Sequence, residues 1–276
     1  MIKIFVLASG RSGTKYLSGL FKRNVKNCIA KHEPLPGMFG KPIYWCHQGD
    51  MEKVKNRFMK KKRRISQSHA GVYIETNHAF LKSFADVAME CFPDMKLIHV
   101  IRNPLKVARS ELNRQMWLDK IHLPFRYYIG DNGERYFRWS LTGLEDIYHQ
   151  VAIDLLSLYQ KYAVQWIEIE NRAMMFLEKY HKYSDCYTLS VPEDLNNEQV
   201  VKELFDLFSL QIGEGHLRMY GRRNLNPVPT VVNEEDKKQF QEVVNNLPDK
   251  YLKIFQKRPY TRFEWVKLLT KSGTSS

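Results

Sequence analysis

The chain has 276 residues, of which 43% are hydrophobic and 13% aromatic, and its formal net charge at pH 7 is +13. This length suits one α/β domain, and the aromatic content argues against an intrinsically disordered chain. The sequence has no apolar run long enough for a transmembrane helix and no signal-peptide pattern, so we expect a soluble, cytoplasmic protein. The basic charge favours anionic ligands without identifying them.

The cysteines are widely spaced and form no C-x2-C pair. They are Cys28, Cys46, Cys91 and Cys186. Such spacing matches neither a zinc-binding motif nor the disulfide framework of a small secreted domain. We therefore expect reduced thiols.

A predicted buried strand leads into a glycine-containing turn at the start of the sequence. Ile2–Ala8 is a largely apolar, β-branched run, which is typical of a strand covered on both faces. Gly10 and Gly13 permit tight backbone geometry and the close approach of a ligand. The helix that follows has Leu17 and Leu20 at core spacing.

Several donors in this turn can surround an anion. The side chains of Arg11, Ser12, Thr14 and Lys15 are donors, and a helix N-terminus adds its backbone N–H groups. The spacing differs from the Walker A pattern, because Gly13 is followed by Thr-Lys-Tyr and no glycine lies five residues before it. The turn predicts an oxyanion site, with a turn that binds no ligand as the alternative.

The second predicted strand is short and carries two polar residues just beyond it. It covers Asn27–Ala30, and Pro34 and Pro36 mark its end. His32 and Glu33 then lie at the C-terminal edge of the sheet, where ligands bind in open α/β folds. Because neighbours along a strand point to opposite faces, we expect only one of the two to reach a substrate.

Residues 38–70 are predicted to be irregular. They include the basic run Lys60–Arg64. Such a run can bind a polyanion, but a solvated basic face is the more frequent meaning.

The third predicted strand ends in polar residues. It covers Gly71–Asn77, and a helix follows with apolar residues at helical spacing over 80–91. The strand and helix together form one unit of a parallel sheet.

The fourth predicted strand is buried and delivers an arginine to its C-terminal end. The strand covers Lys96–Ile101, and Arg102 follows it at a strand-to-helix turn. Asn103 suits the N-cap of the next helix and Pro104 its first position. Ser110 then lies two turns along that helix.

The second half of the chain gives weaker signals. Residues 113–143 are rich in Arg, Trp and Tyr, which suit an acceptor cleft or, slightly more often, a packed irregular core. Long helices are predicted over 144–177, a fifth strand at Cys186–Val191 and a helix over 195–208. A last helix begins after Asn233, and residues 271–276 are predicted to be a disordered tail.

Two of these motifs, taken together, resemble those of one enzyme family. Arg11-Ser12-Gly13-Thr14 resembles the 5′-phosphosulfate loop of sulfotransferases that use 3′-phosphoadenosine 5′-phosphosulfate (PAPS). Arg102, at the end of a predicted strand and followed eight residues later by Ser110, is similar to the 3′-phosphate motif of that family. Glu193-Asp194 between a strand and a helix is similar to the family's late segment, so the resemblance spans most of the chain.

The resemblance implies a donor site and a reaction. The implied donor-binding residues are Gly10, Arg11, Ser12, Gly13, Thr14, Lys15, Tyr16, Arg102 and Ser110. Arg11 and Lys15 would also act in catalysis. Arg222 or Arg223 would belong to a loop that closes over the nucleotide, although the Arg-Lys-Gly sequence of cytosolic members is not reproduced. The reaction would move a sulfuryl group from PAPS to a hydroxyl or amine of an unidentified acceptor, a carbohydrate for example, and release adenosine 3′,5′-bisphosphate.

The resemblance also implies a general base near the second strand. Glu33 is the first candidate, because its turn resembles the strand-end Glu of glycan sulfotransferases. His32 is the second, because other branches use a histidine, a residue suited to proton transfer near neutral pH. Glycan-modifying members carry a lysine near the end of the third strand, but here Glu75 is followed by Thr-Asn-His. Either the missing cation comes from elsewhere, with His78 as a candidate, or the activity differs.

The implied fold is a three-layer, P-loop-like α/β fold with a central, mainly parallel sheet flanked by helices, in a single domain over 1–270. No metal is expected, because Arg102 stands where kinases often carry the magnesium-binding acid. An ATP-dependent P-loop small-molecule kinase is the alternative enzyme. A basic nucleic-acid-binding protein is a distant non-enzymatic alternative, so we expect no nucleic-acid partner.

Overall fold

A computed structural model of the chain describes residues 1–213, 215–219 and 230–271. Its strands are β1 (Ile2–Ala8), β2 (Cys28–His32), β3 (Val72–Thr76), β4 (Lys96–Arg102), β5 (Tyr127–Ile129), β6 (Arg135–Phe137) and β7 (Cys186–Val191). Its α-helices are α1 (Thr14–Asn24), α2 (Lys41–His47), α3 (Met51–Ser66), α4 (Ala85–Cys91), α5 (Pro104–Lys120), α6 (Asp146–His149), α7 (Leu158–Lys179), α8 (Glu198–Leu207) and α9 (Glu234–Asn246). A π-helical turn, Phe80–Phe84, precedes α4.

The described residues fall into two compact units. The first unit lies within Met1–Arg102 and Phe176–Leu225, and the second within Asn103–Met175 and Asn226–Ser276. Nothing tests the expectation of a single domain over 1–270, which stays a prediction.

The first unit is built on a five-stranded sheet in the order β2-β3-β1-β4-β7. Every neighbouring pair is parallel. β1 lies at the centre, and its residues from Ile4 to Ala8 are buried. Because all five strands run the same way, their carboxyl ends share one edge of the sheet.

One face of this sheet is covered by α1 and α8. Side chains of alternating β1 residues, such as Ile4 and Val6, join a buried apolar cluster with Leu20 of α1 and Leu204 of α8. The period of two along the strand and of 3.6 along the helices brings these side chains together. The apolar pattern of the sequence predicts this layer.

The opposite face is covered by aromatic side chains. The ring of Phe5 in β1 lies 5.4 Å from that of Phe80 and 6.1 Å from that of Phe92. Phe58 of α3 stacks 5.5 Å from Phe84. Helices therefore cover both faces of a parallel sheet, which confirms the predicted three-layer α/β architecture.

The second unit contains α5, α6, α9, most of α7 and a β5–β6 hairpin. Arg109 of α5 forms a bidentate ion pair with the buried Asp236 of α9. Asp236 also completes a capping box with Asn233, which confirms the predicted start of the last helix. Trp166 of α7 stacks 5.3 Å from Phe255.

Elements with a clear periodicity or cap in the sequence are predicted correctly, and one segment without a clear periodicity is not. β1 and β7 have the predicted bounds, and Asn103 caps α5 with Pro104 in its first turn, as expected. The prediction that residues 38–70 are irregular is wrong, because they contain α2 and α3. The apolar residues of α3 at helical spacing are hard to recognise in the sequence, because basic residues lie among them.

A membrane-crossing helix is not found within residues 1–213, 215–219 and 230–271, where no helix has both the necessary length and hydropathy. The predicted tail at 271–276 lies outside the described residues, except for Lys271.

Candidate functional site

The carboxyl ends of β1 and β4 are neighbours at the centre of the sheet. β1 is followed along the chain by β2, which lies on one side of it, and β4 is followed among the sheet strands by β7, which lies on the other side. Chain connections therefore leave β1 and β4 in opposite directions. A topological switch point of this kind leaves a crevice outside the strand ends, where ligands of open α/β sheets bind.

The turn after β1 presents the N-terminus of α1 at this crevice. Gly13 is the N-cap residue of α1, and the first turn of the helix carries no acidic side chain. The N–H groups of the first helical turn, which have no partner within the helix, and the positive end of the helix dipole favour an anion here. The Ser12 hydroxyl is 2.8 Å from that of Ser9, and both residues are buried.

Two backbone conformations shape this turn. Gly13 has a φ of 83°, and Arg11 has a φ of 61°. A left-handed conformation is costly for a residue with a Cβ, whereas glycine adopts it freely. At Gly13 an added Cβ would also lie 3.2 Å from Cγ1 of Val191 in β7. The glycine is thus required by conformation and by close packing on the strand end.

Arg102 joins the end of β4 to this turn. Its Nη1 donates to the backbone carbonyl of Arg11 at 2.5 Å. The two motifs singled out in the sequence therefore contact each other directly. A guanidinium has five N–H donors, so one bond to the loop is compatible with further bonds to a phosphate.

Glu33 and His32 converge at the carboxyl end of β2. His32 is the last strand residue, and Glu33 follows it in the left-handed region with a φ of 49°. Nε2 of His32 lies 3.6 Å from Oε1 of Glu33. The expectation that the two side chains point to opposite faces is wrong, because alternation ends where the chain leaves the strand.

Each of the two side chains is positioned by the end of β3 or the residues after it. Nδ1 of His32 lies 2.9 Å from the Thr76 carbonyl oxygen, which can only accept, so this nitrogen carries a proton. Nε2 of His78, in the turn after β3, lies 3.3 Å from Oε1 of Glu33. Glu33 keeps 26% side-chain exposure, against 3% for His78. A proton can therefore reach the Glu33 carboxylate from outside.

Lys61 of α3 and Glu75 of β3 form a buried ion pair. Nζ of Lys61 is 2.8 Å from Oε1 of Glu75, and both side chains are almost completely buried. Tyr73 and Asn77 also donate to this carboxylate. Burial lowers the pKa of Lys61, while the Glu75 carboxylate acts in the opposite direction. Burial also raises the pKa of Tyr73. Glu75 is thus engaged in the core.

The basic residues of α3 bind the segment that follows Glu33. Lys61 donates to the Pro34 carbonyl at 2.9 Å, Arg64 to the Leu35 carbonyl at 2.9 Å and Arg57 to the Gly37 carbonyl at 2.6 Å. Residues 57, 61 and 64 share one side of the helix. The prediction that the run Lys60–Arg64 is a solvated basic face therefore holds for only part of it, because Lys61 and Arg64 bind backbone carbonyls.

The remaining predicted site residues are placed as follows. Thr14, Lys15 and Tyr16 form the first turn of α1, with Thr14 buried and Lys15 exposed, and Gly10 lies in the turn before it. Ser110 is buried in α5, within the second unit. Arg222 and Arg223 lie outside the described residues.

Sequence reasoning missed Lys61 and Lys82. Lys61 occupies the buried stripe of α3 with Val54, Phe58 and Ile65. A lysine inside an apolar stripe at helical spacing is the signal that would have found it. Lys82 is buried in the π-helical turn beside Leu81 and carries the same signal.

Comparisons with known proteins give matches among solved structures only. A crystal structure of a sulfotransferase from Alicyclobacillus acidocaldarius is 14% identical, with a TM-score of 0.48, over 88% of this chain and 93% of that one. A sulfotransferase domain from the curacin biosynthetic pathway is 13% identical, with a TM-score of 0.47, over 89% and 98%. A sulfotransferase domain from the Synechococcus PCC 7002 olefin synthase is 11% identical, with a TM-score of 0.48, over 90% and 95%. No protein-family model and no curated protein matches the sequence.

Proposed function

We propose that this chain is a sulfotransferase that moves a sulfuryl group from PAPS to a hydroxyl or amine of an acceptor. The observation that carries the proposal is the hydrogen bond from Arg102 to the Arg11 carbonyl at the switch point of the sheet. It brings the phosphosulfate-loop motif and the 3′-phosphate motif of the sequence into contact. A donor with phosphates at both ends of a nucleoside needs two such cationic positions close together.

The turn after β1 would hold the 5′-phosphosulfate. Its amides from Ser12 to Thr14 and the side chains of Arg11 and Lys15 are suited to an anion that gains charge as the sulfuryl group leaves. Lys15 lies in the first helical turn and is exposed, so its ammonium is accessible to the donor. The donor supplies the transferable group, and the loop neutralises the charge on the departing bisphosphate.

Arg102 would hold the 3′-phosphate. Arg binds phosphate through paired N–H donors, and this phosphate distinguishes PAPS from ATP. The roles of Ser110 toward this phosphate, and of Arg222 or Arg223 over the nucleotide, rest on the sequence motifs.

Glu33 would accept the proton of the acceptor group as it attacks. Its carboxylate is partly exposed and lies between two imidazole rings, those of His32 and His78. The His32 ring, which carries its proton on Nδ1, can share the accepted proton with Glu33 through Nε2, so His32 and Glu33 act at one position. Holding base, acceptor and donor in line would supply much of the rate enhancement.

The kinase alternative would need a different kind of side chain at the end of β4. A kinase of this fold class needs carboxylates for magnesium beside its phosphate loop, whereas Arg102 contacts the loop backbone. The nucleic-acid alternative relied on the basic run, and three basic residues of α3 bind carbonyls of the chain itself. Both observations favour the sulfotransferase.

Calorimetric titration with adenosine 3′,5′-bisphosphate and with ADP tests the proposal. We expect the wild-type protein to bind the bisphosphate at least tenfold more tightly, and Arg102→Ala to lose tenfold or more in bisphosphate affinity, about 1.4 kcal/mol or more. Lys22→Ala, an exposed cation of α1, is the control and should bind as wild type.

Equal binding of ADP and the bisphosphate by the wild-type protein would contradict the proposal. Unchanged bisphosphate binding by Arg102→Ala would contradict the role of that residue. Thermal unfolding of each variant shows whether a loss of binding follows from a loss of structure, since Arg102 also holds the loop.

A further inference from the structure

Three ionisable side chains form a chain of contacts that runs from the core to the edge of the sheet. They are Lys82 of the π-helical turn, His78 after β3 and Glu33 after β2. Nζ of Lys82 lies 3.4 Å from Nδ1 of His78, and Nε2 of His78 lies 3.3 Å from Oε1 of Glu33. Only Glu33 is substantially exposed.

The π-helical turn places Lys82 against His78. The two residues are four apart in sequence, and the backbone N–H of Lys82 donates to the Ala79 carbonyl at 3.0 Å. Ser83 in the same turn donates to the Met38 carbonyl at 2.8 Å. π-Helical turns are rare and frequently occur at functional sites. This turn holds Lys82 beside His78, which in turn contacts the candidate base Glu33.

The contacts determine which nitrogen of His78 carries the proton. An ammonium group can only donate, so Nδ1 facing Lys82 is the acceptor, and the proton of the neutral ring is on Nε2. Nε2 lies 3.3 Å from Oε1 of the Glu33 carboxylate. The His78 side chain is 3% exposed, and its ring packs 4.6 Å from the ring of Phe39.

The charge of Lys82 also acts on the protonation of His78. A neighbouring ammonium disfavours a second proton on the ring, whereas the Glu33 carboxylate favours it. His32 is a further titratable group here, and its Nε2 lies 3.6 Å from the same oxygen of Glu33. Without Lys82, an imidazolium at position 78 would pair with Glu33 and weaken it as a base.

We propose that Lys82 is a positioning residue for the general base: its ammonium holds His78 neutral, with the proton on Nε2, so that Glu33 has no imidazolium beside it at position 78 and keeps its strength as a base. This inference rests on the proposed function only for the identity of the base. The contact geometry itself is independent of the reaction.

Nitrogen-15 NMR of histidine-labelled protein tests the inference without an activity assay. In the wild type we expect the His78 ring to remain neutral, with the proton on Nε2, from pH 8 down to about pH 6. In Lys82→Met, a similarly long apolar side chain, we expect an imidazolium signal to appear about one pH unit or more higher. His78→Gln identifies the resonance, and Lys22→Met is the control.

The rate of sulfate release from PAPS, in which water is the sulfuryl acceptor, provides the second test. We expect Lys82→Met to lower kcat at least tenfold near pH 6, to move the acidic limb of the kcat profile to higher pH, and to leave affinity for adenosine 3′,5′-bisphosphate within twofold. Lys82→Arg, which keeps a donor and a charge, should restore part of kcat. In a His78→Gln background, where an amide can donate to Glu33, Lys82→Met should have little further effect.

The outcomes separate the two proposals. A wild-type His78 ring that carries its proton on Nδ1, or a His78 titration that Lys82→Met does not change, would overturn the role of Lys82. Equal binding of ADP and adenosine 3′,5′-bisphosphate by the wild type would overturn the proposed function, while the NMR result would still decide the role of Lys82.

Discussion

Gly13 is a residue at which conformation and packing impose the same requirement. Its φ of 83° is in the left-handed region, and the space beside its Cα is filled by Val191. A side chain at this position would strain the backbone at the N-cap of α1, where the anion is expected to bind. A change at Gly13 therefore affects stability and ligand binding together.

Gly13→Ala should destabilise the protein by about 1–2 kcal/mol, because alanine is strained at positive φ. The contact with Val191 should add to this cost, and bisphosphate binding should weaken. Urea unfolding monitored by circular dichroism measures the first effect, and calorimetry the second.

Gly49→Ala separates the two causes. Gly49 also has a positive φ, 75°, but an added Cβ would meet no atom within 4 Å. It should show the conformational cost alone. Val191→Ala in the Gly13→Ala background should recover the packing part, and a lack of recovery would show that the contact at 3.2 Å is unimportant.

At the scale of elements, α3 acts as a support for the segment that carries the candidate base. Three of its basic residues donate to carbonyls of residues 34, 35 and 37, just after Glu33. One of them, Lys61, is also paired with Glu75 in the core. Sheet, helix and loop thus share one hydrogen-bonded network.

Lys61→Met should destabilise the protein by about 3–5 kcal/mol, because it leaves the Glu75 carboxylate buried without its cation. Chemical denaturation measures the loss. The control is Lys60→Met, which removes the exposed neighbouring charge and should stay within about 0.5 kcal/mol of wild type.

The double variant Lys61→Met/Glu75→Gln distinguishes a stranded charge from lost loop support. Removing both charges should recover part of the stability, since the glutamine needs no counterion. A double variant as unstable as Lys61→Met would show that the bond to the Pro34 carbonyl contributes the larger share.

The strongly periodic and clearly capped elements could be predicted from the sequence. Buried strands such as β1 and the cap at Asn103 follow from local chemistry, and each is observed. α3 could not be predicted, because the energy that orders its lysines comes from Glu75 and loop carbonyls distant in sequence. The convergence of His32 and Glu33 could not be predicted either, because it depends on the left-handed backbone conformation of Glu33.

At the scale of the whole molecule, the second unit contains a partly buried acid that makes stability depend on pH. Burial raises the pKa of Glu168 in α7 above its ordinary value, although Arg172 at 2.7 Å acts in the opposite direction. Because the folded-state pKa exceeds the unfolded one, the stability linked to this proton is fully present below the unfolded pKa. It is lost as pH rises through the folded pKa.

Glu168→Gln removes this linkage. The free energy of unfolding of the variant, compared with that of wild type, should shift in favour of the variant as pH rises from 3 to 7. Urea unfolding at several pH values measures the difference, with the exposed Glu134→Gln as a control for removal of a carboxylate. A difference that shifts in favour of wild type would contradict the assignment.

The central position of β1 has a consequence during synthesis. Its sheet neighbours are β3 and β4, and the second of them is complete only at Arg102, 94 residues after Ala8. At translation rates of about 5–20 residues per second, the apolar segment spends roughly 5–19 s on the ribosome before both partners have been made. Throughout that interval the apolar strand lacks at least one of its sheet neighbours, so we expect chaperones to bind it.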